Sequence, residues 1–329
     1  MKKTTKKVLK TAGIVGTTAA ATYFLIGNFF YYVTLTRSGM KNPFVAKVAS
    51  GGPKKPDEEK LRLDEMMKVG KNWFNNANKE QLVIKSTHFN KNIHADYLFA
   101  EEESDVCVIV IHGYTSDPCS MGVYAQKYHE LGYNVLMPSL NGHADSESGV
   151  VTMGWYDRLD ILDWINFLVE NKPNIKIILH GVSMGAATTM MTTGEELPEN
   201  VKAAVADCGY TSVWDIFSNK ITNNFKMHTF PTLYSANAVN KIYSGFDFKK
   251  ASSVEQLKKS KTPTIFLHGD KDTFVPYEML DVVYEACASE KEKVTIPNSP
   301  HARNSCANPE LYWNSVCSFI NKYLWYKQR

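Results

Sequence analysis

A chain of 329 residues that is 44% hydrophobic and only 22% charged has enough apolar material for one large core, which excludes a disordered protein. The formal net charge is +3, yet Lys2, Lys3, Lys6, Lys7 and Lys10 place five positive charges in the first ten residues, leaving about −2 for the rest of the chain. The body is near neutral, and no basic patch with interleaved aromatics argues for a nucleic-acid partner.

The lysine run leads into residues 11–33, which carry no charge and end in Tyr23-Phe24-Leu25-Ile26-Gly27-Asn28-Phe29-Phe30-Tyr31-Tyr32-Val33. About twenty such residues make a helix long enough to cross a bilayer, with tyrosines suited to the interface. Ala19 and Ala21 offer a small-residue cleavage site, and a cleaved export signal is the alternative reading. The most apolar part follows them, however, whereas a signal peptide puts its apolar core before the cut. The expectation is an uncleaved signal anchor over residues 1–36, single-pass in the cell membrane, with the lysines cytoplasmic and the rest of the chain outside.

Residues 37–60 follow as a linker, rich in Gly, Pro and charge between Ser50 and Lys60. Folding is expected to begin at residue 61, with a helix near 61–75 and a hairpin of two short strands, 82–88 and 93–99, joined through Asn90-Lys91-Asn92. Val106-Cys107-Val108-Ile109-Val110-Ile111 is apolar without alternation, as a parallel strand buried on both faces should be. Similar runs recur at 134–137, 175–179, 201–206, 264–267 and 294–296. Helices are expected near 124–131 and 277–288, and Ile161, Trp164, Ile165 and Leu168 stand at i, i+3, i+4, i+7. Strand and helix in alternation predict an α/β fold with a doubly wound, mostly parallel sheet. Asp157, Asp160 and Asp163 are expected on the solvated side of their helix or in its first turn.

Residues 211–257 break the alternation. They hold Trp214, Phe217, Phe225, Phe230, Tyr234, Tyr243, Phe246 and Phe248 and no clear strand. The segment reads as a helical cap inserted over the carboxyl ends of the strands. Its aromatics either line an acyl pocket or pack the cap onto the main domain, and packing is the better reading for any one of them. The six cysteines are scattered without a C-x-x-C pair and select no disulfide; Cys107 and Cys208, in expected strands, read as free buried thiols. None of the nine histidines stands in zinc-ligand spacing.

Gly181-Val182-Ser183-Met184-Gly185 carries the chemistry. It follows an apolar strand and runs into the small residues Ala186-Ala187-Thr188-Thr189, so a serine sits on a sharp strand-to-helix turn. A serine hydroxyl needs a base and an acid to orient that base. His301 follows the last strand. Asp270 and Asp272, after the preceding strand, and Asp207, at the end of another, are all placed to be the acid.

Ser183, Asp272 and His301 stand in the order Ser, Asp, His, and from about Lys85 onward the chain resembles an α/β-hydrolase. Its features are similar to those of bacterial membrane-anchored serine hydrolases related to the prolyl-oligopeptidase-like and esterase group. His268-Gly269-Asp270-Lys271-Asp272-Thr273-Phe274-Val275-Pro276 matches the family's H-G-x-x-D-x-x-V-P pattern, which implies that Asp272 is the acid and Asp270 a turn residue. His112-Gly113-Tyr114 resembles the family's oxyanion segment, which implies the backbone N–H groups of Tyr114 and Met184 as donors to an oxyanion. Asn141-Gly142-His143-Ala144-Asp145-Ser146 resembles a family loop, departing from it at Asn141 and Ala144, and implies a structural role for His143.

The resemblance implies an α/β-hydrolase domain over residues 61–329, with an acyl-enzyme formed on Ser183 and no metal or organic cofactor. The expected partner is a small-molecule ester or other acyl substrate. A carboxylesterase is the first reading. A peptidase or acyltransferase acting on cell-envelope substrates shares the first half-reaction, and a non-catalytic tethered binding protein is the third.

Overall fold

A computed structural model describes residues 2–43, 58–224 and 226–325. Most of the expected linker, and Phe225 of the cap, lie outside these residues. Eight strands, β1 (Glu80–Lys85), β2 (Asn92–Leu98), β3 (Val106–Ile111), β4 (Asn134–Pro138), β5 (Lys176–Val182), β6 (Val201–Asp207), β7 (Thr264–Gly269) and β8 (Lys291–Ile296), form one sheet in the order β1-β2-β4-β3-β5-β6-β7-β8. β1, β2 and β4 pair antiparallel, with Ile84 opposite Ile93 in the hairpin. All other pairings are parallel.

The major helices are α1 (Lys2–Leu35), α2 (Glu58–Asn76), α3 (Gly122–Glu130), α4 (Asp157–Asn171), α5 (Met184–Thr192), α6 (Val213–Asn219), α7 (Thr232–Tyr243), α8 (Met279–Ala286) and α9 (Pro309–Leu324). Every residue of β3 is buried, and the two-residue period of the strand sorts its side chains to opposite faces. Cys107, Ile109 and Ile111 meet the layer of α4, α5 and α8, through side chains such as Trp164, Met190 and Leu280. Val106, Val108 and Val110 meet that of α2, α3 and α9, through Phe74, Tyr124 and Phe319. Helices cover both faces, so the central strands read as uninterrupted apolar runs.

The spanning helix is not borne out, and the solvation of three aspartates is corrected. The segment from Lys2 to Leu35 is helical, but no helix among the described residues is long and apolar enough to cross a membrane. Thr17, Thr18, Thr22, Gly27 and Asn28 dilute its apolar character, and its last turns belong to the globular core, where Tyr31 and Leu35 are buried. Gly27 lets α1 close on α7: a Cβ there would lie 2.5 Å from the Ser235 carbonyl oxygen.

Asp157, Asp160 and Asp163 are buried rather than solvated, although the first two do lie in the first turn of α4. Asp157 accepts from the Asn141 and Gly154 N–H groups at 2.8 and 2.9 Å and from the Thr152 hydroxyl at 2.6 Å. Asp160 accepts from the Ser86 hydroxyl and the Asn141 amide, and Asp163 from the N–H and hydroxyl of Thr87. A carboxylate is tolerated inside when its lone pairs are used, and here the donors come from the loop carrying His143 and from the hairpin residues Ser86 and Thr87. Burial, followed by repulsion from Asp157, outweighs these bonds at Asp160 and pushes its carboxyl up to about 7.

The insert is helical as expected. Its ends meet in an antiparallel bridge between Ser212 and Ser252, each of which also caps a helix through its hydroxyl. Its aromatics pack on one another and on α1, in pairs such as Trp214–Tyr234, Phe217–Phe248 and Phe30–Phe217. None of the described ones lines the cavity beside Ser183. All six cysteines are free.

Candidate active site

β5 delivers its chain to a turn in which Ser183 takes φ 59° and ψ −115°, a conformation that costs a non-glycine residue about 1–3 kcal/mol. Neighbouring glycines make the turn sterically feasible. A Cβ on Gly181 would lie 2.0 Å from the Gly185 carbonyl oxygen, and one on Gly185 2.0 Å from that of Ile111. The Ser183 N–H donates to the Asp207 carbonyl at 2.8 Å, pinning the turn to β6. α5 begins at the next residue, so the Met184 N–H heads a helix and has no intrahelical acceptor.

Ser183 Oγ lies 2.8 Å from His301 Nε2, and His301 Nδ1 lies 2.7 Å from Asp272 Oδ2. Asp272 Oδ1 accepts from the N–H groups of Phe274 and Val275 at 2.8 and 2.9 Å. Burial alone would raise the Asp272 carboxyl, but hydrogen bonds and charge from His268 and His301 hold it well below the usual carboxylate range. The three side chains, which lie on three different loops, form one hydrogen-bonded row in which an ionised carboxylate orients an imidazole toward a serine hydroxyl. Such a row can draw the serine proton onto the ring.

The other acid candidates lie elsewhere. Asp270 accepts from the Asn298 N–H at 2.7 Å and belongs to a turn. Asp207 is buried and accepts from Tyr312 Oη at 2.9 Å and Asn304 Nδ2 at 2.5 Å. Tyr312 is in turn the acceptor for His180 Nε2, whose Nδ1 accepts from Tyr128 Oη at 2.7 Å. This buried chain holds the loop that carries His301 through Asn304.

The residues 112–115 segment runs directly against Ser183; a Cβ on Gly113 would sit 3.4 Å from Ser183 Cβ. Two neutral histidines fasten it. His112 Nδ1–H donates to the Gly113 carbonyl while Nε2 accepts from the Leu140 N–H. His143 Nε2 accepts from the Thr115 N–H at 3.1 Å while Nδ1–H donates to the Asn141 carbonyl. Burial drives the His112 imidazole down to about 3 and lowers that of His143, so both stay uncharged. His143 is therefore a loop clamp. The Tyr114 ring also reaches α1, where its hydroxyl donates to the Thr34 carbonyl at 2.8 Å.

A cavity of about 460 Å³ opens beside Ser183 and His301. One wall is α2, through Asp64, Met67, Lys68 and Lys71, and Arg303 binds Asp64 across its rim at 2.8 Å. Nothing in the apolar pattern of α2 distinguished a cavity wall from an ordinary packed helix. His268, whose Nε2 lies 3.2 Å from Asp272 Oδ2, was also missed, although it opens the H-G-x-x-D pattern. Lys220 carried no signal at all. Its Nζ is buried without a hydrogen-bond partner, 3.4 Å from the centroid of Phe274, whose ring in turn lies against His301. Burial lowers this ammonium to about 8.

Among the described residues, the grouping with ligand-type donors close together is Cys208, Asp272 and His301, whose donor atoms lie within 4.8 Å of one another. Asp272 and His301 are already bonded to each other, and burial pushes the Cys208 thiol up, away from the thiolate a metal would need.

A family model described as the alpha/beta hydrolase fold matches residues 106–229. The chain is 25% identical over 227 residues to the YqkD protein of Bacillus subtilis, covering 68% of this chain and 74% of that one. It is 25% identical over 236 residues to a thermostable monoacylglycerol lipase of Bacillus sp. strain H-257, covering 62% and 85%. Among solved structures, the Pyrococcus furiosus esterase Pf2001 superposes with a TM-score of 0.61 at 21% identity, over 77% of this chain and 93% of that one. An acylaminoacyl peptidase of Pyrococcus horikoshii superposes with a TM-score of 0.57 at 17% identity, over 78% of this chain and 44% of that one.

Proposed function

We propose that this chain, whose residues 106–229 match a model of the alpha/beta hydrolase fold, is a serine hydrolase of the α/β-hydrolase superfamily that cleaves carboxylic esters through an acyl-enzyme on Ser183. The observation that carries this reading is the unbroken row from Ser183 Oγ through His301 to Asp272, with hydrogen bonds of 2.8 and 2.7 Å. Ser183 Oγ attacks the ester carbonyl as its proton passes to His301 Nε2. Asp272, ionised at neutral pH, stabilises the imidazolium that forms. The carbonyl oxygen becomes an oxyanion held by the backbone N–H groups of Tyr114 and Met184, the second also aligned with the dipole of α5. Collapse expels the alcohol, which takes the proton from His301. Water then enters, is deprotonated by the same ring and releases the acid.

The cavity's size suits small or medium acyl groups, and the lipase and esterase names among the similar proteins support an ester over an amide. The test uses the full chain, because α1 and α2 contribute to the core and to the cavity wall. Hydrolysis of p-nitrophenyl esters of increasing acyl length, beside the matched anilides, is compared with the Ser183→Ala protein. Esters should turn over faster than anilides, and the variant should lose about 10⁴-fold or more in kcat without loss of stability. Equal background rates in both folded proteins would sink the esterase reading, and faster anilide cleavage would replace it with a peptidase.

A further inference from the structure

We propose that α1 and α7 together form a face that docks onto an anionic lipid bilayer, with α1 lying along the surface rather than crossing it. The inner stripe of α1 is consumed by protein contacts. Gly27 closes on Ser235 and Val239, and Tyr31 donates to or accepts from Ser244 Oγ at 2.9 Å while its ring meets Tyr243. Among the described residues the outer stripe has no such partner. Leu25, Phe29 and Tyr32, at i, i+4 and i+7, are 68%, 63% and 48% exposed. On α7 and in the turn before it, the cap exposes Ile242, Tyr243 and Phe230 to 67%, 61% and 66%. Large apolar side chains exposed on two packed helices and the turn before α7 are unusual on a free surface and mark a contact site.

Charge identifies the occupant. Lys2, Lys3, Lys6, Lys7 and Lys10 lie in the same helix as the outer stripe, and the first acidic residue of the chain is Asp57. A basic run joined to an apolar, Tyr- and Phe-rich stripe is the pattern of a helix that lies in the interface of an anionic membrane. A nucleic acid would use the lysines and leave the apolar stripe exposed. Crossing the bilayer would take the Gly27–Tyr31 stripe away from α7. The docked helix is also tied to the site, because the Tyr114 hydroxyl holds its last turn at Thr34 and the Arg37 guanidinium, just after it, donates to the carbonyls of Gly142, His143, Ser146 and Ser148. Docking would therefore hold the Ser183 cavity in a fixed relation to the lipid surface.

The experiment is co-sedimentation of the full chain with vesicles of phosphatidylcholine alone or mixed with phosphatidylglycerol, at low and high salt. The wild-type protein should bind the anionic vesicles at least about tenfold more tightly, and raised salt should weaken that binding. Leu25→Ser/Phe29→Ser, Phe230→Ser/Ile242→Ser and replacement of the five lysines by Gln should each weaken it by a similar factor, with thermal unfolding unchanged as the check on folding. A cap variant that binds like wild type would overturn the shared face. Protein that stays with the vesicles through an alkaline carbonate wash would overturn surface docking in favour of a spanning helix. Binding to a polyanion such as heparin with none to either vesicle would overturn a lipid partner.

Discussion

The row at Ser183 and the packing of α1 on the cap are built on different scales. The first is assembled from three short loops at the carboxyl ends of parallel strands, each loop shaped by its own residues: glycines at 181 and 185, and an H-G-x-x-D turn at 268–272. The second joins segments some two hundred positions apart, with Gly27 against Ser235 and Tyr31 against Ser244. Local backbone geometry leaves a pattern in a sequence. A contact between distant helices leaves only a stripe of residues that could equally face lipid, protein or water.

The sharpest way to break this comparison is through the row alone. Asp272→Asn keeps the shape but removes the charge that orients and stabilises the His301 imidazolium, and kcat should fall by roughly 10³–10⁴-fold. A loss below tenfold would mean that the carboxylate does not act through His301.

Acid should act on both regions through buried groups whose signs can be worked out. Asp272 is ionised below the usual range, so its stabilisation holds above about pH 4 and is lost as pH falls through its folded value. His112 and His180, both at about 3 inside the protein, bind protons only on unfolding between about pH 6.5 and 3, so stability falls over that window too. Asp160, at about 7, runs the other way: its protonated form favours the fold, and that contribution fades as pH rises from about 4 to 7. Between pH 7 and pH 4 the two histidines oppose Asp160, because Asp272 stays ionised across that window. Urea unfolding at pH 7 and pH 4 should show a net acid loss of a few kcal/mol, on the order of magnitude expected for buried titrating groups. A flat profile would indicate that His112 and His180 are not kept neutral.

Gly27→Val should wedge α1 away from α7 and cost about 1–3 kcal/mol, read as a lowered thermal midpoint. Labelling of Ser183 by a fluorophosphonate should persist in the folded variant. Unchanged stability would mean that α1 is not seated on α7. Tyr114→Phe should have the smallest effect: it removes the bond to Thr34, worth about 1 kcal/mol, while leaving the Tyr114 amide in place. The last turn of α1 should exchange its amide hydrogens faster, with kcat changed less than about fivefold. A collapse of turnover would show that the oxyanion segment depends on α1.

The sheet was legible because a strand buried on both faces must be a continuous apolar run, and each such run became a strand within a few residues of its expected bounds. The row was legible for a related reason: a serine in a left-handed turn needs small neighbours, and glycines on either side record that need. The burial of Asp157, Asp160 and Asp163 was not, since a first-turn carboxylate looks the same whether water or Asn141 and Ser86 supply its donors. The cap's packing was legible only in outline, as the favoured reading of its aromatics. Its aromatics were visible, but only the fold could direct Phe217 toward Phe248 and Phe30 and away from the cavity.

The sequence alone determined the succession of polar and apolar runs along the chain, the sharp turn at Ser183 and the residue types of the row, because these follow from steric and solvation demands on neighbouring residues. Only the tertiary structure decided that α2 walls the cavity, that Lys220 lies over Phe274, and that α1 spends one stripe on the cap and leaves the other exposed. Those outcomes depend on which surfaces remain uncovered after the core has closed, and no window of sequence contains that information.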